Sequence, residues 1–136
     1  GAFQPECVID FDTAMRIASG FGGGMGRLRE VSGAVSGMFM AAGLLRGSSD
    51  LRDKAAKDAH YALIQELAEA FRRENGSIVC RELLGLGAAQ ADRPVSEART
   101  PEYYRKRPCG ELVAFAAGLL EEKLKERLRA ESGVGQ

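Results

Sequence analysis

A chain of 136 residues with 19 Lys and Arg against 19 Asp and Glu is long enough for one domain with its own core. Zero formal net charge excludes nucleic-acid or anionic-membrane binding by bulk electrostatics. One His and three Cys exclude a Cys2His2 finger and any multi-His metal site built from one chain, and an odd cysteine leaves no fully paired disulfide framework. A reducing, cytoplasmic setting is expected. The start, Gly1-Ala2-Phe3-Gln4-Pro5, has neither the basic nor the apolar segment of a secretion signal and no initiator Met, so it is expected to be a processed or excised beginning.

The elements predicted along the chain are helices, because no segment alternates apolar and polar residues for long. Asp10 and Asp12 cap a first helix that runs to Ala18 and stops at Ser19-Gly20. Five of the seven residues from Gly20 to Gly26 are glycine, which marks a turn needing positive φ or close backbone approach. Val31 to Leu45 is free of charge but falls short of the about 20 residues of a membrane span. It is expected as the most buried helix, with Gly33 and Gly37 facing a neighbouring helix at short range. Asp50 caps the next helix, about Leu51 to Glu74, whose stripe is Ala56, Leu63, Leu67, Ala70 and Phe71 and whose stop is Asn75-Gly76. Ser77 caps a short helix from Ile78 to Leu84. Residues 88–108 are irregular. A last helix runs from about Gly110 to Ala130 with Val113, Ala117, Leu120, Leu124 and Leu128 as its stripe. The expected fold is all-α, a single helical bundle over residues 1–131 with about four long helices, followed by a disordered tail over 132–136.

Chemistry concentrates on the cysteines. Cys80 lies three residues after the cap Ser77, and Cys109 directly precedes the last helix, so both thiols sit in or beside a first helical turn. Free N–H groups and the helix dipole favour a thiolate there, and Arg81 and Arg107 add positive charge. Cys7 has no assigned role. The glycines Gly22, Gly23 and Gly24 form a turn that lies against a cofactor or, less in keeping with the missing strand and lysine, cradles a phosphate. His60 reads as a core or edge histidine, and Met25, Met38 and Met40 as gap-filling core residues. Tyr103-Tyr104-Arg105-Lys106-Arg107 reads as a solvated loop rather than a nucleic-acid track.

The segments Ala18 to Arg27, Ser32-Gly33-Ala34-Val35-Ser36-Gly37, Cys80-Arg81-Glu82-Leu83-Leu84-Gly85 and Cys109 resemble, over essentially the whole chain, the small redox-active proteins of the C_GCAxxG_C_C family. That domain is similar to part of the split-Soret cytochromes, which carry a non-haem iron–sulfur centre. The resemblance implies that Cys80 and Cys109 are the family's third and fourth cysteines. Ser32 stands where the second belongs, and the first is missing. It further implies that Cys80 and Cys109 are redox-active or ligate a metal ion or iron–sulfur cluster, with Ser32 near both and metal binding impaired by the serine. A shared site in a homodimer and a redox partner protein are expected, with no nucleic-acid or membrane partner. The alternative is a non-redox helical module that binds a small anion or a protein partner. Whether the chain is an enzyme stays open.

Overall fold

The computed structural model describes residues 9–85, 101 and 109–132. Besides the one-turn segment Gly22–Met25, five helices are described: α1 (Phe11–Ala18), α2 (Gly33–Arg46), α3 (Lys54–Asn75), α4 (Cys80–Leu83) and α5 (Cys109–Glu131). Among the described residues the sole extended pairing is an isolated antiparallel bridge between Val31 and Val79, so the fold is all-α. No described helix is long and apolar enough to cross a membrane. The expected irregular segment 88–108 lies outside the described residues apart from residue 101, and so do Cys7 and 133–136 of the expected tail.

Side-chain caps set most helix starts. Asp10 accepts from the backbone N–H of Thr13 at 2.8 Å and opens α1. Ser32 accepts from Ala34 at 3.2 Å and opens α2. Asp53 accepts from Ala56 at 3.0 Å and opens α3, three residues later than expected. Asp50 caps only a turn, accepting from the backbone N–H of Arg52. Leu51 beyond it is exposed, so a helix begun at Asp50 would have gained no buried contact from it. At the far end of α3 Gly76 closes the helix with φ 90°, donating its N–H to Arg72 at 2.7 Å.

The core lies between α2, α3 and α5. Val35 and Ala42 meet Leu63, Leu67 and Phe71, with Leu120 closing the third side. Phe71 and Phe115 meet edge to face, ring centres 5.7 Å apart at 73°. The stripe read for α3 is the one buried, except that Ala56 is half-exposed.

Two expectations about packing need correction. On α5 the buried face is Ala116, Leu119 and Leu120, with Leu112, Phe115 and Leu124 beside it, while Val113 and Leu128 are exposed. This alanine-rich helix carries apolar residues on two faces, and the edge contact with Phe71 selects the face that holds Phe115. Helix α2 has the largest buried share of the described helices, as expected, but it is not buried all round. One side enters the core, while Gly37, Met40, Ala41 and Leu44 line an open apolar groove of about 280 Å³ between α1, α2 and α5. A Cβ added at Gly37 would meet nothing within 4 Å, whereas one at Gly33 would stand 3.1 Å from the carbonyl oxygen of Phe21. The close neighbour of Gly33 is therefore the glycine turn rather than a helix, and Gly37 has none.

Ion pairs fasten α5 to its neighbours. Glu66 on α3 accepts from Arg127 at 2.9 Å and Lys123 at 3.5 Å. Arg46 at the end of α2 binds both carboxylate oxygens of Glu131 at the end of α5. The Arg46 hydrogen bonds hold the Glu131 carboxyl below its ordinary range. A depressed folded-state value adds stability above the unfolded-state value and loses it as pH falls through the folded one. The pair is solvent-facing, so the effect is small. We expect Glu131→Gln to lower the melting temperature slightly at neutral pH and not at all in strong acid. A deficit that persists in acid would assign the loss to something other than the ion pair.

Candidate functional site

The glycine turn is left-handed. Gly23, Gly24, Met25, Gly26 and Arg27 all have φ between 61° and 73°, and Arg29 follows at 63°. An L-residue in this region costs about 1–2 kcal/mol, and Met25, Arg27 and Arg29 are not glycine. Such strain persists only where surrounding structure fixes it. Here the turn's own bonds do so. Met25 donates to Phe21 at 3.1 Å, Arg29 to Gly23 at 3.3 Å and Glu30 to Gly24 at 3.0 Å. These N–H groups are thus spent within the turn.

The turn is wound against Cys80. Residues 30–32 run alongside 78–80, with Ser32 donating to Ile78 at 2.8 Å, Cys80 to Glu30 at 2.6 Å and Arg81 to Arg29 at 3.2 Å. This pairing explains why the short helix starts at Cys80 rather than Ile78: residues 78 and 79 are extended to form the bridge. Ser77 caps no helix. Its hydroxyl accepts from Val79 at 2.9 Å and donates to Glu82.

Gly24 lies directly beneath Cys80. A Cβ on Gly24 would stand 2.6 Å from that of Cys80, so the close approach that the glycines permit is to this cysteine. Cys80 is a free thiol, 7% exposed. Its sulfur accepts from Nη1 of Arg29 at 3.7 Å, and Arg29 is 5% exposed. A nearly buried guanidinium thus stands directly against a nearly buried sulfur. The expected cation, Arg81, instead turns its guanidinium to the carbonyl oxygen of Leu28 at 3.4 Å. Sequence reasoning missed Arg29, since a charged residue in the short polar segment 27–30 reads as solvent-facing. The hint available was its position between five glycines and an apolar run, where little space is left for a charge to reach water.

Of the other residues read from the sequence, Ser32 is buried and pairs with Ile78, two residues before Cys80, its Oγ occupied as the cap of α2. Gly22 is exposed at the outer edge of the turn, and Gly23 packs against Arg27 and Arg29. Cys109 opens α5; its side chain lies outside the described residues. Leu83 of α4 shares an open pocket with Glu111 and Leu112 in the first turn of α5, so the two cysteine-bearing helix starts come to the same end of the bundle. His60 is half-buried beside Gly43, toward the other end of α2, and its Nδ1 has no hydrogen-bond partner among the described residues. Met38 is in the core and Met40 in the groove wall. Tyr103 to Arg107 lie outside the described residues.

The described residues do not fit an iron–sulfur cluster or a metal ion. No group of three or more His, Cys, Asp or Glu among them could hold a metal, and the Ser32 hydroxyl is committed as the cap of α2.

No curated protein and no solved structure matches the chain. A family match spans residues 1–123 and includes the glycine turn, Ser32, Cys80 and Cys109: the chain belongs to the family described as "Putative redox-active protein (C_GCAxxG_C_C)".

Proposed function

We propose that the protein does thiol–disulfide chemistry, with Cys80 as the redox-active thiol and Cys109 as its partner. The observation that carries this reading is the Cys80 sulfur held under the left-handed turn with Nη1 of Arg29 at 3.7 Å. A thiolate is the form that attacks a disulfide, and the Arg29 guanidinium stands within reach of the sulfur that would carry that charge. The pocket shared by Leu83, Glu111 and Leu112 supports the partnership, because these residues follow Cys80 and Cys109 by only two or three positions. Oxidation joins the two sulfurs and releases two protons and two electrons. The electrons pass to an external disulfide, which is reduced to two thiols. A metal or cluster role would require ligands beyond the described ones, so no step is assigned to it.

The test is equilibration of the full chain in glutathione redox buffers, followed by acid quenching and mass spectrometry. The expected product loses two hydrogen masses and yields a peptide linking Cys80 to Cys109. Cys80→Ser and Cys109→Ser should each abolish that product. Cys109 taking up glutathione while Cys80 remains a free thiol would overturn the reading.

A further inference from the structure

The groove between α1, α2 and α5 lies on a different face of α2 from the core, and α1 forms one wall of it without burying a single residue. Phe11 is 58%, Met15 55% and Ile17 55% exposed, and Leu44 and Val113 on the other walls are exposed to similar extents. An isolated helix of eight residues is marginal in water, and apolar surface gathered in one patch marks an interaction site. We propose that this face is where two copies of the chain pair, α1 crossing α1 antiparallel about a two-fold axis.

The charges of α1 point to a second copy as the occupant. Phe11, Ala14, Met15 and Ala18 form one stripe at helical spacing, and Asp12 and Arg16 lie together on one flank of it. Neither Asp12 nor Arg16 has an ion-pair partner among the described residues. In an antiparallel crossing centred on Ala14, Asp12 of each copy comes beside Arg16 of the other. The two-fold makes this pairing twice. The same crossing sets Phe11 of each copy against Ile17 and Ala18 of the second, covering an aromatic that is 58% exposed. Zero net charge leaves no long-range repulsion between copies. A closed two-fold contact also uses up the groove on both chains, so assembly stops at two.

Sedimentation equilibrium of the full chain tests this. Wild type is expected at twice the chain mass. Met15→Glu should give monomer with an unchanged far-ultraviolet circular dichroism spectrum, because no core contact is touched. Asp12→Arg and Arg16→Asp should each weaken pairing about tenfold or more by placing like charges together. The double variant carrying both should recover it. A wild-type monomer at millimolar concentration would remove the proposal and leave the groove to another occupant. A dimer indifferent to Met15→Glu would place the contact elsewhere. Failure of the double variant to recover would refute the antiparallel crossing.

Discussion

Gly24→Ala is expected to destabilise the protein by about 2–5 kcal/mol. Two costs combine. At φ +73° any L-residue carries about 1–2 kcal/mol of strain. The new Cβ also stands 2.6 Å from Cβ of Cys80, 2.8 Å from the backbone nitrogen of Glu30 and 2.9 Å from Cα of Arg29. None of these is the free end of a flexible side chain, so the backbone must move, and overpacking of this kind costs about 1–3 kcal/mol. Against a total of about 5–15 kcal/mol for a domain, the loss is large. Gly26→Ala is the matched control: its φ is +61° but its Cβ would approach nothing nearer than 3.9 Å, so it should show the strain alone. Urea denaturation of the three proteins separates the contributions. Equal midpoints for the two variants would mean that the turn is not pressed on Cys80.

Phe71→Ala should cost about 3–5 kcal/mol, the usual range for emptying a buried aromatic site. Phe71 is fully buried and touches both partners of α3, through the core of α2 and α5 and through the edge contact with Phe115 at 5.7 Å. Its loss leaves a void at the junction of three helices, where collapse of one neighbour opens a gap at another. The melting temperature should fall by about 10 °C or more. Phe71→Leu, which keeps most of the volume, should lose much less. If the alanine and leucine variants melt together, the cavity is not what determines the cost.

The contrast between helices shows what could be read in advance. Helix α3 has a single apolar stripe, an aspartate at its start and Asn75-Gly76 at its end, so each local signal agrees with the packing. Helix α5 has two apolar faces, and only the tertiary contact of Phe115 with Phe71 decides between them. Periodicity alone cannot supply that contact. Helix α4 lost the start expected at Ile78 because residues 78–80 pair with 30–32, a contact too short to leave an alternating pattern. Cys80 was legible by its chemistry and its place near a helix start. Arg29 was not, because its burial depends on the left-handed turn, and a run of such residues outside glycine has no signature in residue types. The glycines announced a tight approach without saying to what.

The Val31–Val79 bridge has a consequence for the order of events when the chain folds. All of α2 and α3 lies between its two residues, so the bridge closes only after that helical hairpin has brought its ends together. Closing a long loop in advance would cost chain entropy with little to offset it, whereas the hairpin gains its core contacts first. The pocket around Cys80 is therefore expected to form late in folding. It can also be released early, since opening the bridge leaves Leu63, Leu67 and Phe71 in place. Sulfur burial at this end of the bundle is thus expected to follow a local equilibrium separate from global unfolding.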